Sequence, residues 1–187
     1  MPVDTFFGRY RGSVVDNQDP LNLGRLRVNV PDVLQQLEST WALPSMAITG
    51  SGMGIWALPS VGANIWVEFE QGDVGYAVWT GGWWANDSDV PTAARADDPS
   101  QGTILVQTHG GTRLLLSDAV GSTGGVQLIV VNGCSIVITD SEIKLVARSG
   151  ASIVINDSGI ILDSGTSAKI ALQGPSVSVN DGALTVT

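Results

Sequence analysis

Apolar and polar positions alternate in short runs along the first half of the chain, and that period of two predicts β-strands. Tyr10–Asp16 is one such run, closed by the turn-rich Asn17-Gln18-Asp19-Pro20. Leu26, Val28 and Val30 alternate with charged or polar neighbours across residues 24–30. Residues 63–70 do the same, with Ile65, Val67 and Phe69 on one face. Gln71-Gly72-Asp73 reads as a turn, and residues 76–80 supply the last strand of the set. Only Val33–Ser39 has the spacing of a helix, barely two turns long. About five short strands in this length fit a small barrel of the OB type.

The second half repeats. Cys134-Ser135-Ile136-Val137-Ile138-Thr139-Asp140-Ser141 returns as Ala151-Ser152-Ile153-Val154-Ile155-Asn156-Asp157-Ser158, and in eroded form from Ala168, a step of 17 residues each time. Ile136, Ile138, Ile143 and Leu145 thereby recur as Ile153, Ile155, Ile160 and Leu162, then as Ile170, Leu172, Val177 and Val179, with Leu184 and Val186 ending the series. A fixed period of this kind marks stacked β-structure. Residues 111–118 look like an earlier, less regular copy. Strands this short, with two apolar side chains apiece on one face, leave a single chain with open edges and an unburied face. Three chains wound about one axis would bury those fourteen residues against their counterparts. The pattern therefore predicts an obligate homotrimer, held in part by strand pairing between chains, in which this half is a rigid shaft.

Composition places the boundary between the halves. Every Trp, Phe and Tyr lies at or before Trp84, and beyond it the chain is built from aliphatic, small and polar residues. The segment between is polar and punctuated by Pro91 and Pro99, the signature of a linker. The expected organisation is an OB-type domain over residues 1–90, a linker over 91–101 and a β-helical shaft over 102–187. A net charge of -9 opposes binding to nucleic-acid phosphates or anionic lipid. One cysteine, Cys134, rules out an intrachain disulfide and a thiolate metal cage. The opening residues lack the basic and apolar regions of a secretion signal, and no run approaches the ~18 apolar residues of a membrane helix.

Candidate chemistry is sparse. His109, the sole histidine, has no second His, Cys or acidic cluster beside it in the sequence, which favours a structural or solvated role. Glu68 and Glu70 fall on one strand face with Trp66, whereas a glycosidase sets two carboxylates on opposite sides of its substrate. No serine or threonine has a histidine base in a plausible setting for a triad. The turns at Asp140 and Asp157 lack the dense oxygen pattern of calcium repeats, and an aspartate bonding its own backbone explains them. No catalytic residue, metal ligand or cofactor is expected. The six tryptophans leave two readings open. They fill the barrel core and anchor an interface, where aromatics are favoured, or they stack sugars on an OB face.

The order of motifs resembles the central spike proteins of contractile injection machines. The resemblance runs through residues 8–28, which include Asp19-Pro20-Leu21-Asn22-Leu23-Gly24-Arg25, and through Trp41-Ala42-Leu43-Pro44, residues 57–63, Val67–Asp73 and Trp79-Thr80-Gly81-Gly82-Trp83-Trp84. The C-terminal repeat, ending at residues 175–187, is similar to their β-helical needle. The family spans baseplate assembly protein V of contractile-tailed phages and the valine-glycine-repeat spikes of type VI secretion. The resemblance implies an all-β chain: an N-terminal OB-fold collar and a C-terminal intertwined trimeric β-helix. It implies a structural, non-enzymatic homotrimer in a virion tail baseplate or injection particle, assembled in the host cytoplasm and pointing a membrane-piercing needle at the target envelope. Trp83 and Trp84 are the expected contact with the baseplate hub. The inserted lysozyme domain of some relatives has no room here, and the histidine-bound iron apex of others is missing. A PAAR-type tip protein is therefore expected to dock on Thr185, Val186 and Thr187. The alternative is a trimeric carbohydrate-binding module with an OB-fold head on a β-helical stalk; a degradative enzyme is the weakest of the three.

Overall fold

In the N-terminal half the alternation closes into a barrel. The computed structural model describes residues 5–95 and 100–186, without the side chain of Thr185. The chain divides into two compact units between Asp89 and Val90. The first contains β1 (Tyr10–Asp16), β2 (Arg27–Asn29), a one-turn helix α1 (Pro31–Leu34), β3 (Leu43–Pro44), the small hairpin β4 (Thr49–Gly50) and β5 (Met53–Gly54), β6 (Asn64–Phe69) and β7 (Ala77–Gly82). Five of these form one sheet in the order β2-β1-β6-β7-β3. Its two ends meet. Leu26 and Ala42 exchange backbone hydrogen bonds of 2.8 and 3.1 Å, while Leu43 and Pro44 run parallel to Val78 and Trp79. Segment 42–44 thus clasps both margins of the sheet and closes it on itself.

The inward residues are the ones the alternation selects: Val14, Leu26, Val28, Val30, Ile65, Val67, Phe69, Ala77 and Trp79, joined by Ala42. At Gly12 a Cβ would stand 2.9 Å from the Asn29 carbonyl oxygen and 3.0 Å from Val67 Cγ2. Only glycine allows β1 to bend so closely between β2 and β6. The helix expected over Val33–Ser39 is corrected to the single turn α1. Gln35 takes a positive φ of 55°, and the chain from there returns to β2, where the Ser39 N–H bonds the Val28 carbonyl and the Ser39 hydroxyl accepts the Val28 N–H. Closing the barrel outweighs a weak helical preference.

The second unit is an antiparallel meander of β8 (Thr103–Gln107), β9 (Arg113–Ser117), β10 (Gly125–Ile129), β11 (Ser135–Ile138), β12 (Glu142–Val146), β13 (Ser152–Asn156), β14 (Gly159–Asp163), β15 (Lys169–Gln173), β16 (Ser176–Val179) and β17 (Leu184–Val186). The ten strands pair strictly in sequence order. Their register stacks the apolar positions into two ladders on one face. The first runs Val106, Leu114, Leu128, Ile136, Leu145, Ile153, Leu162, Ile170, Val179, Leu184. The second runs Ile104, Leu116, Val126, Ile138, Ile143, Ile155, Ile160, Leu172, Val177, Val186. The strand pairing expected between chains is made within one chain. Every strand from β9 to β16 has both neighbours in its own meander, so another copy reaches it through a face or margin.

The connections differ systematically between the two margins. On the first-ladder side they are wide, covering residues 108–112, 130–134, 147–151, 164–168 and 180–183. The first four share one hydrogen bond: the first residue's N–H donates to the fifth residue's carbonyl, as from Ala147 to Ala151 at 2.7 Å. On the second-ladder side, below a longer crossing at 118–124, the turns shrink to 139–141, 157–158 and 174–175.

Candidate functional site

The feature that stands out is the two-ladder face, because nothing described in its own chain covers it. From Ile136 to Val177 each exposed ladder residue keeps 36–40% of its surface open, and Leu184 and Val186 on the last strand keep 60% and 59%. In the barrel unit, by contrast, ten apolar residues are buried together. Among the described residues of the meander only Leu115 and Gln127, both on the opposite face, and Gly124 in the 118–124 crossing are buried. Burying an aliphatic side chain of this size contributes about 2 kcal/mol. The sheet therefore presents a continuous, partly open apolar face to a partner. All fourteen residues picked out by the 17-residue period lie on this face. Six more continue the ladders upstream: Ile104, Val106, Leu114, Leu116, Val126 and Leu128. Sequence periodicity caught Leu114 and Leu116 only within the less regular copy at 111–118 and missed the other four, because the wide loop at 108–112 precedes that at 130–134 by 22 residues, the excess lying mostly in the 118–124 crossing. Period-two alternation within residues 103–129 would have found them.

The turns are capped, though not by the aspartates the sequence suggested. Thr139 Oγ1 accepts the N–H groups of Ser141 and Glu142 at 3.3 and 3.1 Å, and Asn156 Oδ1 accepts the Ser158 N–H at 2.9 Å. The residue that opens each turn does the bonding, as an Asx or Ser/Thr turn requires, and Asp140 and Asp157 are left at the tips.

The barrel unit has two distinct surfaces. Trp79 alone of the six tryptophans is in the core, with its Nε1–H donating to the Gly24 carbonyl at 3.0 Å. The expectation that tryptophans fill the core is thus corrected, since the barrel is packed by Val, Leu, Ile, Ala and Phe69 around one indole. Trp66 and Trp83 lie on the outer face with ring centroids 6.1 Å apart, and the Arg11 guanidinium sits 4.8 Å from the Trp83 ring and 6.0 Å from Trp66. Trp84 is 63% exposed. Elsewhere the β4–β5 hairpin exposes Ile48, Met53 and Ile55, an apolar surface the sequence did not single out because its strands are two residues long.

The loop from β1 to β2 is organised by Asp19. Its buried carboxylate accepts the backbone N–H groups of Leu21, Leu23 and Arg25, and Oδ1 takes both Nε and Nη2 of Arg25 at 3.0 and 2.6 Å. The Arg25 guanidinium in turn lies 5.6 Å from the Trp41 ring. Arg25 holds the Asp19 carboxyl well below the usual carboxylate range; burial opposes this, and the three N–H groups reinforce it. The Arg25 guanidinium is raised reciprocally by Asp19.

The remaining residues with candidate chemistry are scattered. Glu68 is taken up by an ion pair with Arg9 at 2.8 Å, and Glu70 opens the turn after β6. His109 is exposed in the first wide loop, and Cys134 is an exposed thiol in the second. No group of three or more His, Cys, Asp or Glu side chains that could hold a metal occurs among the described residues. No described helix is long and apolar enough to cross a membrane. Val186 is exposed on β17, the outermost strand of the meander, while Thr187 and the Thr185 side chain lie outside the described residues.

A closed OB-type barrel and an antiparallel meander with an open apolar face define an oligomeric structural protein. The family model for the Type VI secretion system/phage-baseplate injector OB domain matches residues 10–84. That for the phage baseplate V C-terminal trimerisation domain matches residues 140–185. Between them they cover well over half of the chain, which belongs to the phage baseplate V spike family. The trimerisation match lies on the exposed ladders and supports a homotrimer. A search of curated proteins found no match.

Proposed function

We propose that three copies of this chain form the central spike of a contractile phage tail or related injection particle. Three meanders wind about one axis as an intertwined needle, with their ladders inward. The barrel domains form a collar on the baseplate hub, with Trp83 and Trp84 in the contact. The needle pierces the target membrane when the sheath contracts. A small PAAR-type tip protein docks on Thr185, Val186 and Thr187, where the free edge of β17 offers unpaired backbone groups. The chain works mechanically, without substrate or cofactor, and is assembled in the host cytoplasm. The observation that carries this reading is the pair of unbroken apolar ladders left open by the chain that makes them.

Light scattering of the full chain is expected to give three times the 19.5 kDa chain mass. Ile153→Asp, which sets an unpaired charge in the first ladder, is expected to abolish the trimer, whereas Lys144→Ser on the opposite face preserves it. A folded monomer of the parent chain would overturn the reading. A carbohydrate-binding head is the second reading. It is favoured by Trp56, 61% exposed beside a small pocket lined by Asn17, Gln18 and Asn22, and saturable glycan binding lost in Trp56→Ala would support it.

A further inference from the structure

The two margins of the meander are not equivalent, and the difference specifies how copies meet. Along the wide-loop margin runs an open apolar groove, floored by the first-ladder residues from Ile136 to Val179 and walled by Ala147, Ala151 and Ala168. No second-ladder residue among those described lines it. The small wall residues fall at the same place in successive repeats, where Cys134, Ala151 and Ala168 are 17 residues apart. The other margin, termed the ridge, is the one closed by tight turns. Its second ladder is isoleucine at Ile138, Ile143, Ile155 and Ile160, where the first alternates isoleucine with leucine, and its turns shrink to two or three residues.

Charge follows the same division. Among the described residues of the meander, Arg113, Arg148 and Lys169 stand on the wide-loop margin, together with Asp163 and Asp181. The described tight-turn margin carries Asp118, Asp140, Glu142 and Asp157 and no cation. Lys169 is paired with Asp181 at 3.5 Å within its own chain. Among the described residues, Arg148, Asp140 and Asp157 have no ion-pair partner in theirs. The wide-loop margin carries the groove, the cations Arg113 and Arg148 and the groove-lining carboxylate Asp163, none of them ion-paired; the tight-turn margin carries carboxylates alone among the described residues.

We propose that the trimer is closed by heterologous contacts, the tight-turn ridge of each copy seated in the wide-loop groove of the next. This rests on the trimer proposed above and adds which surfaces meet. Rotational symmetry of order three excludes an isologous pairing in which one patch meets itself, so two different complementary surfaces are required. All of the groove but Cys134, Ser135 and Ile136 lies within the matched trimerisation domain, so its occupant is a second copy of this chain. A second copy also carries the same 17-residue period, which keeps ridge and groove in step along the whole stack. Arg148 then faces the acidic turn tips of its neighbour.

Disulfide trapping tests this on the full chain in a Cys134→Ser background. Ala151→Cys places a thiol on the groove wall, and Asp140→Cys or Asp157→Cys places one on the ridge. Within one chain residues 151 and 157 flank β13 at its opposite ends, about 20 Å apart, too far for a bond. Under mild oxidation, at least one of the two double variants is expected to run as a covalently closed trimer on non-reducing gels, and all three single variants as monomers. Covalent dimers from a single variant, or double variants that stay monomeric while light scattering reports an intact trimer, would overturn the arrangement. A monomer by light scattering would overturn the trimer itself, so the two failures are distinguishable.

Discussion

Asp19 shows how one side chain can hold a motif. The run Asp19-Pro20-Leu21-Asn22-Leu23-Gly24-Arg25 was legible in the sequence as part of a family likeness, while its purpose was not. A carboxylate that accepts bonds from residues two, four and six places ahead needs a folded loop to be seen. Its folded pKa is depressed, so its stabilising contribution is fully present above the ordinary carboxylate range near pH 4 and is lost as pH falls towards the folded value. Asp19→Asn is therefore expected to lower the melting temperature of the barrel by several degrees at pH 7. By calorimetry, the gap to the parent chain should stay constant down to about pH 4 and narrow below it. Gly12 is a second residue whose role only the packing reveals. Gly12→Ala should cost about 1–3 kcal/mol in chemical denaturation, because the Asn29 carbonyl has to move to admit a methyl group.

At the scale of elements, the strands of both units were readable because alternation is a local signal and burial on one face preserves it. β6 could be read from Ile65, Val67 and Phe69 alone. Elements decided by distant contacts could not. Residues 35–39 have the composition of a helix end but are claimed by β2, and the ladder upstream of Ile136 hid behind a change of period. Turn chemistry was half legible: the positions were right, while the bonding fell to Thr139 and Asn156. The tight turns make their own demand at Gly159, which enters β14 with φ +136°, where a Cβ would run into the Leu172 carbonyl. Gly125 enters β10 under the same constraint, against the Ile138 carbonyl. Gly159→Ala is expected to destabilise the meander by about 1–3 kcal/mol per chain, read as a lower midpoint of trimer unfolding with the barrel transition unchanged.

For the whole molecule, the two units answer dilution differently. The barrel holds its own core, whereas the meander leaves one apolar face open until copies join. Unfolding of the trimer should therefore show two transitions. The meander's midpoint should rise with protein concentration and the barrel's should not, because only the first is linked to assembly. A single concentration-independent transition would contradict a shaft built from shared faces. The repeat that builds those faces also makes the shaft a ruler with fixed graduations. One 17-residue unit adds two strands, about 9.6 Å of stacking at the usual inter-strand spacing, and returns each ladder and margin to the phase in which it began. Excising residues 152–168 would join the loop ending at Ala151 to β15 in the place β13 held. Such a chain would still have continuous ladders and would make a needle shorter by one graduation in electron micrographs. Reach can thus be lengthened or shortened in steps by whole units, with no new interface to be invented at any step.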